Sequence, residues 1–277
     1  MLAFARHAEA VGFESIYVVE HVVVRVGYAE RYPYAPGGRM PLPDDCPIPD
    51  PLELLAFLAA GTERIVLATG ILVAPLHHPV QLAKRVATVD VLSGGRMRLG
   101  VGVGWMREEL EAVGIDYADR GGRTDEVIEA MRALWSADEG AHRGERFAFE
   151  GLVSRPRPVQ RDRDGHPSVP VHVGGHSRAA ARRAGRLGDG FQPLGLDDDA
   201  LADRLRVMRE SAERAGRDPS TIEVSLAGVL ESTGPAEVER AAAQGADRLV
   251  LSTRSAELAE VTDRLSAFAE LTADLRR

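Results

Sequence analysis

Short apolar runs and helical-period stripes take turns along this chain from end to end. Positions 15–19, 64–73, 96–103, 169–173, 191–194, 222–230 and 247–252 are β-branched, aromatic or continuously apolar, and predict strands. The stripes between them predict helices over 1–11, 51–61, 79–92, 106–113, 124–135, 177–187, 198–215, 236–244 and 255–275. Leu2, Ala5 and Ala8 share one face of the first helix, and Gly12 stops it. Pro79 stands at a helix start, where its missing N–H costs nothing, and Gly94-Gly95 follows the helix end. Residues 145–160 predict a hairpin with Phe147 and Phe149 facing Leu152 and Val153, and a polar, Pro-containing connector then runs to 170.

Strands apolar on both faces belong to parallel sheets sandwiched by helices. The unbroken alternation, with no glycine-rich fingerprint on the first strand, predicts an α/β chain folded as a (β/α)8 TIM barrel rather than an open sheet. Only seven barrel strands can be read, the ranges given above, where the fold needs eight. The chain therefore reads as entering in the middle of a βα unit. A lost first strand is expected in preference to an open barrel, because opening leaves two long unpaired edges.

Composition narrows the function classes. The 277 residues are 44% hydrophobic and 27% charged, ordinary for a globular protein and ample for a large core. A net charge of −8 argues against nucleic acid or an anionic membrane as the main partner. The lone Cys46 excludes an internal disulfide and a cysteine-based metal cluster. No apolar run approaches the roughly 20 residues of a membrane span and no signal peptide opens the chain, so a cytoplasmic location is expected.

Candidate chemistry sits at the predicted C-terminal ends of the strands. Gly174, Gly175, His176 and Ser177 join a strand to a helix; glycines admit a close ligand, and a helix start offers free N–H groups to a phosphate. A bare turn is the plainer reading of the same residues. His21 lies just beyond a strand end, where barrel enzymes place their chemistry, and imidazole exchanges protons near neutral pH. Gly70, between Thr69 and Ile71, marks a bulge or the close approach of something flat. Gly102 and Gly104 clear space at the end of another strand, where Trp105 is placed to wall a pocket. His77 and His78 precede the Pro79 helix and suit either helix capping or contact with a cofactor tail. No compact ligand spacing such as His-x3-His is present, so no metal is expected. The long stretch 24–51, with Tyr28, Tyr32 and Tyr34, is placed to lid the mouth and suggests an apolar or flat small-molecule substrate.

Four motifs stand in order: Val19-Glu20-His21-Val22, the run from Gly70 through His77-His78-Pro79, the run from Leu92 to Gly104-Trp105, and His172-Val-Gly-Gly-His-Ser177. With them the chain resembles the bacterial luciferase-like superfamily, and within it the actinobacterial oxidoreductases that use the deazaflavin coenzyme F420. The segment 120–126, the Ala-Leu-Trp135 that follows and the segment 155–160 match that branch as well. The resemblance implies one barrel over 1–277, an insertion at about 106–168 between strands four and five, a homodimer, and a deazaflavin or flavin across the C-terminal mouth. It further implies that His21 faces the reactive edge of the ring, that Glu20 orients His21 or pairs with an arginine, and that an unusual peptide geometry at Thr69, Gly70 and Ile71 buttresses the ring face. The expected activity is hydride transfer between F420 and an organic substrate. FMN-dependent monooxygenation with a separate reductase is the alternative, since FMN ends in a phosphate and the 174–177 cradle fits either cofactor. A catalytically silent barrel that binds or dimerises is the third reading, supported by the missing strand.

Overall fold

A computed structural model describes residues 1–28, 32–35 and 37–276, so positions 29–31 and 36 of the expected lid lie outside the described residues. Helix α1 (Leu2–Ala10) leads into strand β1 (Ser15–Val18). Helix α2 (Pro51–Ala59) begins at Asp50, whose side chain accepts from the Leu52 and Glu53 N–H groups at 3.0 and 3.2 Å, with Pro51 in the first turn. Strands β2 (Val66–Thr69) and β3 (Leu72–Val73) follow, then helix α3 (Pro79–Ser93) and strand β4 (Met97–Gly102). Gly94 ends α3 at φ 68°, the left-handed conformation that favours glycine.

After β4 the chain forms helices α4 (Arg107–Ala112) and α5 (Arg120–Ser136) and an antiparallel pair, β5 (Gly140–Arg143) with β6 (Ala148–Leu152). Strand β7 (Val171–Gly174), helix α6 (Arg178–Leu187), strand β8 (Gly190–Gln192) and helix α7 (Asp198–Arg214) resume the alternation. Strand β9 (Glu223–Val229), helix α8 (Pro235–Ala243), strand β10 (Arg248–Ser252) and helix α9 (Leu258–Leu271) complete it.

The parallel sheet runs β1-β2-β4-β7-β8-β9-β10, with β3 also on β4, and is nearly closed into a barrel with the helices outside. Its core lies between strands and helices: Leu67, Leu99, Val101 and Phe191 pack against Leu55, Leu82, Val86, Val127 and Met131. Buried Trp135 satisfies its indole N–H on the Ala83 carbonyl at 2.9 Å. Among the described residues β1 and β10 remain the two edges, bridged at one end by Glu14, which accepts from Arg98 at 2.7 Å and from Arg248 at 2.9 Å. Between them lies a cavity of about 310 Å³ lined by Phe13, Leu249, Leu251 and Phe268 among others.

Three details differ from the sequence reading. The apolar run 64–73 is one strand path in two pieces, β2 and β3, both on β4 and separated by Gly70 and Ile71, whose peptide bond is cis. The hairpin starts earlier than expected: 140–143 pairs with 148–152, while Phe147 is 7% exposed and belongs to the core. Helix α5 begins at Arg120, ahead of the apolar stripe that marked 124–135.

Candidate functional site

All strands of the parallel sheet point their C-terminal ends to one mouth, and most of the singled-out residues meet there. Ile71 is the centre of its floor. With no Cβ at Gly102 or Gly174, the Ile71 side chain lies across both; a Cβ at either would come within 2.6 Å of it. The same absence at Gly104 admits Val73 Cγ1, which a Cβ there would meet at 2.8 Å. The glycines at the ends of β4 and β7 thus seat an apolar shelf built by β3. Thr69 stands below, fully buried, its hydroxyl donating to the Gly100 carbonyl at 2.7 Å.

One wall is His21, held by a residue the sequence reading did not assign to it. Glu109, on α4, accepts from His21 Nδ1 at 2.9 Å and from the Val22 N–H at 2.7 Å, with its side chain 1% exposed. A carboxylate taking a backbone N–H through one oxygen and an imidazole through the other acts as an acceptor at both. Against a carboxylate, His21 Nδ1 is the donor, and Nε2 is the ring nitrogen that Glu109 does not engage. The available signal was helical spacing: Glu109 and Leu110 of α4 are buried with Met106 just before it, and a carboxylate on an apolar stripe wants a partner.

Glu20 does not orient His21. Neighbouring side chains on a strand-like path diverge, and Glu20 turns to the opposite side. There its oxygens accept from the Val73 N–H at 2.6 Å and pair with His77 Nε2 at 2.9 Å, and no arginine partners it among the described residues. His78 is the cap of α3, its Nδ1 accepting from the Val80 N–H at 3.4 Å.

Trp105 stands edge-on to His21 with ring centres 5.8 Å apart, and packs on Tyr28 at 4.9 Å and Tyr32 at 5.2 Å. Tyr28, Met40 and Met106 are buried against the partly buried Trp105, so these described parts of the stretch after β1 pack beside it. Tyr34 reaches farther, edge-on to His176 at 5.3 Å and against Gly195. Burial, reinforced by Tyr32, pushes the Tyr34 hydroxyl up to about 12, so it stays protonated at neutral pH.

Opposite Trp105, Gly175 turns the chain at φ 133° from β7 into α6, and Ser177 caps the helix by accepting from the Ala180 N–H at 3.1 Å. Burial, helped by the Arg204 guanidinium, lowers the His176 pKa and keeps that ring neutral. His176 Nδ1 and Gln192 Oε1 are buried with no hydrogen-bond partner among the described residues. Arg178 is spent on Asp203, at 2.9 and 2.5 Å, rather than turned to the helix start. The shelf, the helix start and the two orphaned polar atoms suit a flat ring bearing a phosphate tail. Away from the mouth, Asp162, Asp164 and His166 come together on an exposed turn, whose hydrogen bonds are local.

The luciferase-like monooxygenase family model matches residues 1–274. An uncharacterized protein of Mycobacterium tuberculosis is 36% identical over 219 residues, which is 78% of this chain and 74% of that protein. The FMNH(2)-dependent dimethylsulfone monooxygenase of Pseudomonas fluorescens is 30% identical over 214 residues, 75% of this chain and 51% of the relative. Among solved structures, an F420-dependent secondary alcohol dehydrogenase in complex with an F420-acetone adduct superposes with TM-score 0.81 at 19% identity, covering 100% of this chain and 94% of the other. A monooxygenase from Streptomyces bottropensis gives 0.76 at 24% identity, covering 100% and 92%. At these identities the structural likeness establishes the fold.

Proposed function

The chain belongs to the luciferase-like monooxygenase family, and from that premise we propose that it is an F420-dependent oxidoreductase moving a hydride between the deazaflavin and a small organic substrate. The observation that carries this reading is the Glu109-held His21 beside Trp105, at the edge of the Ile71 shelf. Family members are oxidoreductases and monooxygenases, and the choice of F420 rests on the branch motifs in the sequence, with the fold of the F420-dependent alcohol dehydrogenase in support.

A bound F420 supplies the hydride chemistry. The protein's part is binding, orientation, water exclusion and one proton. Ile71 floors the ring site, and Gly174, Gly175, His176 and Ser177 bring a turn and a helix start to the phosphate end. Trp105, Tyr28 and Tyr32 close one side against water. His21 Nε2 accepts a proton from a substrate hydroxyl, or returns one to a carbonyl, while the Glu109 carboxylate stabilises the ring when it is charged.

A second reading is favoured by the Pseudomonas relative, whose name gives it an FMNH(2)-dependent monooxygenase activity. FMN shares the ring and phosphate that the mouth suits. Parallel fluorescence titrations with F420 and FMN separate the two. Tight F420 binding with weak FMN binding is expected. The reverse preference makes the protein a flavin monooxygenase, and binding of neither overturns both readings and leaves a silent barrel.

A further inference from the structure

We propose that Glu20 is a positioning residue that locks the cofactor shelf to the end of β1. The inference rests on the reading of the mouth as a deazaflavin or flavin site. The main-chain ladder between β1 and β2 stops at Val18 with Thr69, and its last bond runs from the Gly70 N–H to the Val18 carbonyl at 2.7 Å. Beyond the bend, β3 keeps β4 on one side through Leu72 with Val101 and Val73 with Gly102. On the other side, the Glu20 carboxylate takes the place of a strand carbonyl and accepts the Val73 N–H at 2.6 Å. Its second oxygen fixes His77 Nε2 at 2.9 Å, just past the turn Ala74–Leu76. Glu20 itself is 4% exposed.

One buried carboxylate therefore ties together three parts of the mouth. It is bonded through the chain to His21. It holds the segment that carries Ile71 over Gly102 and Gly174. It holds Val73 beneath Gly104, the residue before Trp105. A two-residue strand with one partner has little else to fix its distance from β1, so freeing Val73 lets the shelf drift.

The test is a set of variants titrated with F420: Glu20→Ala, Glu20→Gln, Ile71→Ala and the Glu20→Ala/Ile71→Ala double. Glu20→Gln keeps an oxygen for Val73 and offers its amide N–H to a His77 that carries its proton on Nδ1. Glu20→Ala, which removes both the Val73 and the His77 bonds, is expected to weaken F420 binding about tenfold, and Glu20→Gln to stay within about threefold of the wild type. If both residues act through one shelf, the double variant binds no more weakly than the worse single. Unchanged binding in Glu20→Ala, or additive losses in the double, overturns the proposal. Should Glu20→Ala not fold, Glu20→Asp, which keeps the charge but falls a methylene short of Val73, replaces it in the same cycle.

If the wild type binds neither F420 nor FMN, the functional reading fails by itself and amide exchange in the free protein decides. Val73 N–H exchange at least about tenfold faster in Glu20→Ala and restored in Glu20→Gln upholds the lock. Equal exchange in all three removes it.

Discussion

Glu109 makes the sharpest prediction, because the structure asks two separable things of it. It accepts from the half-exposed Val22 N–H at 2.7 Å and it holds His21 Nδ1 at 2.9 Å. Glu109→Ala abolishes the bonds that Val22 and His21 make to this buried carboxylate, at a cost of about 3 kcal/mol. Unfolding entropy for 277 residues is about 0.6 kcal/mol/K, so the melting temperature should fall by about 5 °C. Glu109→Gln is different. Its oxygen still takes Val22, and its amide donates to His21 Nδ1, so stability drops by only about 1 kcal/mol while the imidazole proton moves to Nε2. The assay is the pair of His21 ring-nitrogen shifts by NMR at neutral pH, read beside the melting curves. The wild type should show a protonated Nδ1 and a bare Nε2, and Glu109→Gln the reverse. A wild-type ring already protonated at Nε2, or a tautomer that Glu109→Gln leaves unmoved, refutes the argument without any substrate in hand.

The remaining predictions use other parts of the fold. Gly100→Ala places a Cβ 2.0 Å from the Thr69 carbonyl oxygen, a backbone atom, whereas Gly102→Ala meets the end of the Ile71 side chain at 2.6 Å. The first should lose at least about 3 kcal/mol in urea unfolding; the second should lose less and show itself as weaker cofactor binding. Burial raises the Glu14 pKa, but hydrogen bonds from Arg98 and Arg248 outweigh it and hold the carboxyl at about 2 against an ordinary 4.5. Its stabilising effect is thus present above pH 4.5 and lost as pH falls toward 2, so Glu14→Gln should flatten that limb of a melting-temperature profile. Burial first, then Arg98 and Arg248, lowers His172 from 6.5 to about 3. The neutral ring favours the fold above pH 6.5 and loses that advantage as pH falls toward 3, so His172→Gln should remove the acid destabilisation that begins nearest neutrality.

Most of the architecture was legible because its signals are local. Apolar runs gave the parallel strands, and Pro79 with Gly94 bracketed α3 as capping chemistry requires. Gly70 was readable as an interruption, and the unusual peptide that the resemblance implied there is the cis bond between Gly70 and Ile71. Phe147 reads as a hairpin strand residue but is claimed by the core, a tertiary override of local pattern.

In the candidate site the meeting of the strand ends was legible, and the pairing of side chains was less so. His21, Ile71, Trp105 and His176 do converge on one mouth, since strand ends of a parallel sheet all arrive at the same face. The pairing inside it was not local. Glu109 is 88 positions from His21, while the adjacent Glu20 points away to Val73 and His77. Sequence adjacency made the wrong carboxylate look like the partner. The shelf was also unforeseeable in detail: Gly102 and Gly174 looked like room for a ligand, and the room at their Cα atoms is filled by Ile71.

The most direct measurement is a competition. Protein holding F420 is challenged with FMN while fluorescence is followed, and the experiment is repeated with Gly174→Asp, which puts bulk under Ile71 and negative charge beside the α6 start. The account predicts that FMN displaces F420 only at large excess and that Gly174→Asp binds neither. Displacement by equimolar FMN, or normal F420 binding by Gly174→Asp, contradicts it.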